Sequence, residues 1–317
     1  MTDTQNEAFK MPVNKIRLFE HGAPGSQNLK LTRKYYTEDM PDGRVKHIVQ
    51  NITDPDIVPY IPDGIGNSTD RQRIPAVLII PGGAFRRLVY NFEGEDVAKW
   101  LNSMGIAAFV LECRLPSDEH DNAEDVPLID AMRAMRVIRG RAQEFGIDEA
   151  KIGVMGFSAG GFMAALLSTA YESDVYADYK YKDEYDKLSA RPDFAVCSYP
   201  VISIDDCIEA GKRYMSEEQV LERISDSKAK ILHKYNPDKL VRPDMPPVFI
   251  CETDDDRTTL SENSVGFYMA ARKAGVSAEL HIFRTGGHGY GCGDDFAQTG
   301  EWKVLFTKWI KSIGIIS

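Results

Sequence analysis

The sequence predicts an α/β fold: a mostly parallel central sheet flanked by helices on both faces. Three observations predict it. From residue 75 onward, short apolar runs alternate with helix-type patterns, the order that builds a parallel sheet through helical crossovers. The runs are continuously apolar rather than apolar at every second position, as expected of strands covered on both sides. One of them, Lys151-Ile152-Gly153-Val154-Met155, passes through Gly156-Phe157-Ser158-Ala159-Gly160-Gly161 straight into Phe162-Met163-Ala164-Ala165-Leu166-Leu167, which is rich in good helix formers.

Taken in order, residues 1–45 are polar and turn-rich and read as an irregular leader, with 46–317 as one body. Segments 44–51 and 56–61 are predicted to pair as an antiparallel entry hairpin, ended by Pro62-Asp63-Gly64. A polar loop over 63–73 precedes the strand Pro75-Ala76-Val77-Leu78-Ile79-Ile80. A helix over 94–104 places Val97, Leu101 and Met104 on one face and stops at Gly105. Strand 106–111 follows, then a long helix over about 125–145 carrying Val126, Ile129, Met132 and the arginines Arg133, Arg136 and Arg139. Beyond the central turn, 171–190 is rich in Tyr, Asp and Lys and reads as a solvated excursion. Phe194 to Tyr199 resumes the sheet. Residues 203–245 show helical signals (Val220, Leu221, Ile224, Ile231, Leu232) and no strand, which predicts a small helical insertion over the strand ends. Strand 248–251, helix 261–274, strand 278–283 and a final helix burying Trp302, Phe306, Trp309 and Ile313 complete the chain.

Composition narrows the function. Hydrophobic residues make up 43% of 317, enough for a large core. A net charge of −10 argues against nucleic acid or an anionic membrane as partner. The five cysteines (Cys113, Cys197, Cys207, Cys251, Cys292) are scattered and form no C-x-x-C pair, which points to a reducing compartment. The first fifteen residues hold no apolar core of a signal peptide, and no stretch reaches the length of a membrane span. A cytoplasmic location is therefore expected. No H-E-x-x-H, dinucleotide fingerprint or P-loop occurs, so no metal or organic cofactor is implied.

The strand–turn–helix around Ser158 is the setting a nucleophile elbow needs. Glycines allow the sharp turn that holds the hydroxyl clear of the sheet, and the following helix brings unpaired N–H groups to its start. Such a serine needs a base and a carboxylate to orient that base. In the order Ser, Asp, His, the acid falls after a late strand and the histidine after the last one. Strand 248–251 runs into Glu252-Thr253-Asp254-Asp255-Asp256, and strand 278–283 into Gly286-Gly287-His288-Gly289-Tyr290-Gly291. His288 is the candidate base. His281 lies within a strand, His21 and His47 precede the sheet, His120 sits among acids and His233 belongs to the insertion. Any one of Asp254, Asp255 and Asp256 could reach the imidazole, and Asp205 and Asp206 after strand 194–199 are a further alternative. Pro81-Gly82-Gly83-Ala84, after the strand at 75–80, occupies the place of an oxyanion loop. Gly83, Ala84 and Ala159 are its candidate amide donors. Phe85, Arg86 and Tyr290 are candidate pocket residues.

On these three stretches the sequence resembles the α/β-hydrolase superfamily. Within it, the chain is similar to bacterial esterases related to acetyl xylan esterases and to the hormone-sensitive-lipase-like carboxylesterases. The resemblance covers roughly 46–314 and is weakest through 171–245. It is supported by Glu93-Gly94-Glu95-Asp96-Val97-Ala98-Lys99-Trp100-Leu101, Pro246-Pro247-Val248-Phe249-Ile250 and Glu262-Asn263-Ser264. Those esterases tend to read His-x-x-x-Asp-x-x-Val-Pro in the acid loop. Glu252 stands in place of that histidine, so the resemblance puts the acid at Asp256, with Asp255 next. Thr258-Thr259-Leu260 departs from the Val-Val-Pro-like run. Pro81 stands where the lipase-like members have histidine, as in acetyl xylan esterase-like members, which tilts the reading toward carbohydrate or small acyl esters.

The sequence reading is thus a serine esterase acting on short-chain, foremost acetyl, esters of small-molecule or oligosaccharide alcohols, with a homodimer allowed. A serine peptidase of the prolyl-oligopeptidase type shares the Ser-Asp-His order. A non-catalytic binding protein on this fold is the third reading.

Overall fold

The structure is a computed structural model describing residues 9, 14–65, 73–213, 215–216, 218–220, 230–293 and 298–317. Its eleven described strands are β1 (Ile16–Arg17), β2 (Lys34–Asp39), β3 (Val45–Gln50), β4 (Asp56–Tyr60), β5 (Ile74–Ile80), β6 (Leu88–Val89), β7 (Ala107–Glu112), β8 (Ile147–Phe157), β9 (Ala195–Ser198), β10 (Val248–Thr253) and β11 (Ala278–Phe283). The described helices are α1 (Asp96–Ser103), α2 (Val126–Gly140), α3 (Ala142–Phe145), α4 (Ala159–Ala170), α5 (Ile204–Lys212), α6 (Lys230–Lys234), α7 (Ser261–Lys273) and α8 (Trp302–Ser312).

An eight-stranded sheet in the order β1-β4-β7-β5-β8-β9-β10-β11 runs through the core. From β7 to β11 the neighbours are all parallel, and β4 and β1 close one edge antiparallel. The continuous apolar runs have the cause expected of them: every residue of β7 and β10, and Ile152 to Phe157 of β8, is buried. Helices cover both faces. Trp100 of α1 meets Trp302 and Phe306 of α8 edge-on at 4.9 and 5.4 Å, and Trp302 reaches Phe157 of β8 at 6.3 Å. Ile310 takes the fully buried place expected of Ile313.

Three expectations need correction. Segments 44–51 and 56–61 do not form a hairpin: β3 pairs with β2 and β6 in a separate three-stranded sheet, whereas β4 pairs with β1 and β7. Nor are the described residues of 1–45 irregular throughout, since they contribute β1 and β2. Leu18, Phe19 and Ala23 are buried in the core, and charge pairing, which leaves no hydrophobic period to read, ties the rest of the leader down. Lys15 Nζ and Arg33 Nη1 each lie 2.6 Å from the fully buried Glu112 carboxylate at the end of β7, and Arg33 Nη1 also meets Asp56 Oδ2 at 2.5 Å. Finally, 171–190 is exposed at half its positions but anchored rather than free of the body. Tyr171 and Tyr176 are buried. Arg133 of α2 holds Asp183 Oδ1 at 2.7 Å and Asp186 Oδ2 at 3.1 Å, and Arg136 Nε donates to Leu188 O at 2.9 Å. Between β9 and β10 lie α5 and α6. Of the helical signals there, Leu221 and Ile224 fall outside the described residues.

Just past the end of β7 lies the most deeply buried ion pair among the described residues. Arg114 and Asp130 of α2 are both fully inaccessible and 2.7 Å apart, and Arg114 also donates to Ser26 Oγ at 2.7 Å and to Pro24 O in the leader. A buried charge stripped of its partner is costly. Asp130→Ala is therefore expected to lower stability by about 3–5 kcal/mol, measured by urea denaturation. Asp130→Asn, which keeps an acceptor, should lose less.

Candidate active site

β8 ends at Phe157 and α4 begins at Ala159, leaving Ser158 alone at the turn with φ 54° and ψ −118°. A side chain in this region is strained and persists only where its surroundings impose it. Here the flanking glycines impose it. A Cβ on Gly156 would lie 1.9 Å from Gly160 O, and one on Gly160 would lie 1.9 Å from Ile80 O. The first helical turn therefore presses directly on β8 and β5. Gly160→Ala should yield chain that is destabilised and has lost activity, read by thermal melting and by an ester assay.

The His288 loop follows β11, and Asp256 sits three residues beyond β10. Both open at the same sheet edge as Ser158, as expected where ligands meet the carboxyl ends of parallel strands. His288 Nδ1 lies 2.6 Å from Asp256 Oδ2, and Nε2 lies 2.8 Å from Ser158 Oγ. The ionised carboxylate only accepts, so Nδ1 carries the proton and Nε2 is left to accept from the serine hydroxyl. Asp256 is anchored from its other side by the amides of Thr258 (2.7 Å) and Thr259 (3.0 Å) on Oδ1, and by Thr259 Oγ1 at 3.0 Å on Oδ2. Burial pushes this carboxyl up, but the bond and charge of His288 and the two amides hold it below the usual carboxylate range.

The neighbouring acids go elsewhere. Asp255 Oδ1 accepts the Gly287 amide at 2.8 Å and so ties down the histidine loop. Asp205 lies on α5, 3.9 Å from Lys239, not at the imidazole. Glu252 is fully buried behind Asp256, accepting from Thr253 N at 2.9 Å and Ser264 Oγ at 3.2 Å. Burial and the nearby Asp256 push its carboxyl well above the usual range. Among the other histidines, His120 Nδ1 is 3.0 Å from Ser26 Oγ, and burial beside Arg114 lowers its pKa to about 4, keeping it neutral.

After β5, Gly83 (φ 139°), Ala84 (φ 57°) and Phe85 (φ 59°) all turn through the left-handed region. Among the described residues the amides of Gly83 and Ala84 donate to no protein acceptor. The Ala159 amide opens α4 and has no acceptor within the helix. Of the candidate pocket residues, Phe85 packs edge-on against Phe162 at 5.5 Å while lining a small cavity with Gly82, Gly83 and Ala159, and Tyr290 packs edge-on against Tyr199 at 4.5 Å. Arg86 is exposed. The sequence reading missed the parts played by Thr258 and Thr259, which counted only as a departure from the esterase pattern. It also missed Tyr199, whose ring meets His288 edge-on at 5.1 Å. The one available signal was the place of Tyr199 at the end of a strand facing the elbow.

Residues 65–270 match the BD-FAE family model. The chain belongs to the BD-FAE family. This BD-FAE chain is 31% identical over 240 residues to the acetylxylan esterase of Xylanibacter ruminicola, a match covering 75% of the chain and 45% of that relative. It thus spans less than half the length of this curated relative. Among solved structures it is similar to the acetyl ester-xyloside bifunctional hydrolase of Caldicellulosiruptor lactoaceticus, with 35% identity and TM-score 0.71 over 96% of this chain and 97% of that one. The carboxylesterase Cest-2923 of Lactobacillus plantarum, 21% identical with TM-score 0.67 over 90% and 99% of the two chains, shares the fold. In the BD-FAE chain, as in these neighbours, a mostly parallel sheet carries the helices of the α/β-hydrolase fold.

Proposed function

We propose that the protein is a serine esterase that removes short acyl groups, foremost acetyl, from a carbohydrate or other small alcohol. The observation that carries this is the unbroken line Ser158 Oγ–His288–Asp256, with bonds of 2.8 and 2.6 Å, beside amides that have no acceptor among the described residues. Likeness to an acetylxylan esterase and to an acetyl ester-xyloside hydrolase supports the acyl group and the alcohol class.

Ser158 Oγ attacks the ester carbonyl carbon while its proton passes to His288 Nε2. Asp256 stabilises the imidazolium and holds it in orientation. The oxygen that gains charge is met by the Gly83, Ala84 and Ala159 amides, the last with the positive end of α4 behind it. Collapse expels the alcohol with the proton from Nε2, and water then repeats the sequence on the acyl-enzyme, releasing the acid. No step calls for a metal or organic cofactor. The buried thiols of Cys113, Cys197 and Cys251, which form no disulfide among the described residues, support a reducing, cytoplasmic location, where oligosaccharide fragments rather than polymer would be the substrate. Segment 203–245, which follows β9, is the proposed insertion bounding the pocket, and a homodimer is the proposed assembly to examine by sedimentation.

The test is hydrolysis of p-nitrophenyl acetate, butyrate and octanoate alongside acetate release from acetylated xylo-oligosaccharides. Highest kcat/KM on the acetyl compounds is expected. Preference for octanoate would refute the acyl assignment, and faster cleavage of a peptide p-nitroanilide would favour a peptidase.

A further inference from the structure

Glu93 lies in a single π-helical turn, Asn91–Glu95, just ahead of α1, with its side chain buried beneath the oxyanion loop. Each of its carboxyl oxygens is met by a donor. Gly82 N–H reaches Oε2 at 2.8 Å, and the Tyr199 hydroxyl reaches Oε1 at 2.9 Å. The Tyr199 hydroxyl in turn accepts from the Gly291 amide at 3.1 Å, three residues beyond His288, while the Tyr199 ring rests against the imidazole. One carboxyl thereby joins the loop after β5, the end of β9 and the loop after β11. Two donors and no competing proton suit the ionised form. Burial holds the carboxyl above the usual carboxylate range, although the Tyr199 bond, His288, the Gly82 amide and Lys46 each pull it down.

The consequence for the oxyanion loop follows from peptide planarity. Gly82 N–H is fixed by Glu93, and Gly82 O accepts from Val89 N at 2.9 Å. The second bond fixes the plane that contains the Gly83 N–H, which points opposite to that carbonyl. Space is equally constrained: a Cβ on Gly82 would lie 2.8 Å from Glu93 Oε2 and 2.9 Å from Ser158 Cβ.

We infer that Glu93 is a positioning residue that locks the oxyanion loop and the His288 loop to each other, so that the amide donors and the base converge on one carbonyl. This rests on the esterase reading. Misplacing oxyanion donors costs transition-state stabilisation rather than substrate affinity. Glu93→Ala should therefore lower kcat on p-nitrophenyl acetate by about 10²-fold per active chain, with KM little changed, since removal of one oxyanion donor costs 10²–10³. Active chains are counted with a phosphonate that labels Ser158. Glu93→Gln can still accept from Gly82 with its carbonyl and meet the Tyr199 oxygen with its amide, and should recover most of kcat. Tyr199→Phe, which breaks only the link to the histidine loop, should lower kcat with KM again unchanged, and it keeps the test alive should Glu93→Ala fail to fold. Near-wild-type kcat per active chain in Tyr199→Phe and in any folded Glu93→Ala, or a loss carried by KM, would overturn the clamp. Wild type without turnover that depends on Ser158 would instead sink the esterase reading itself.

Discussion

Ser158→Ala is expected to lower kcat for acetyl ester hydrolysis by about 10⁶-fold, the scale on which a triad nucleophile contributes elsewhere. The fold should survive. Alanine keeps the Cβ that already sits at φ 54°, and the neighbouring Gly156 and Gly160 keep the turn. What disappears is the only hydroxyl bonded to His288 Nε2 among the described residues, at 2.8 Å. Residual hydrolysis would then come from the oxyanion amides and bound water alone. Comparing initial rates with melting temperature separates the two effects: the rate should collapse while the melting temperature stays close to that of the wild type. A variant that keeps more than a small fraction of wild-type turnover would place the nucleophile elsewhere.

Asp256→Asn is expected to cost about 10⁴-fold in kcat, as loss of the orienting carboxylate does in a related triad. Asparagine can still accept from the amides of Thr258 and Thr259, so the loop should hold. Its side-chain NH₂ would face Nδ1, however, and favour the tautomer that protonates Nε2, which can no longer take the serine proton. Asp255→Asn is the control. Its carboxylate meets the Gly287 amide at 2.8 Å rather than the imidazole, and asparagine can keep that bond, so the rate should fall only slightly. Stability offers a second readout. The folded pKa of Asp256 is depressed, so its contribution is complete above the unfolded carboxylate value of about 3.9 and is lost as pH falls through the folded value. The wild type should therefore lose stability in acid that Asp256→Asn does not lose. Equal activity of Asp256→Asn and wild type would remove Asp256 from the mechanism.

The parallel sheet was legible because burial on both faces leaves an unmistakable mark, continuous runs such as Val77 to Ile80 and Val248 to Cys251. Ser158 was legible because only glycine tolerates the contacts at 156 and 160. Residues joined by charge or by single hydrogen bonds across long separations were not. Lys15 and Arg33 tie the leader to Glu112 without any periodic signal. The bond from Glu93 to Gly82 and Tyr199 crosses 11 residues in one direction and 106 in the other, and nothing local to Glu93 announces it. The entry hairpin failed for a related reason. Two adjacent strand-like segments suggest each other as partners, yet the antiparallel edge of a parallel sheet was open to β4, and β2 was available to β3. Phe85 and Tyr290 were read by proximity to the site, and their size and apolar surface also pack them against Phe162 and Tyr199.

The most direct measurement is rapid acid quench of the protein with p-nitrophenyl acetate, followed by mass spectrometry of its peptides. An acyl-enzyme route requires a covalent ester on the nucleophile before water arrives. The expected result is one acetyl group, on the peptide carrying Ser158, present at early times and absent in Ser158→Ala. Turnover with no acetylated peptide at any time, or acetyl on a different residue that persists in Ser158→Ala, would contradict it.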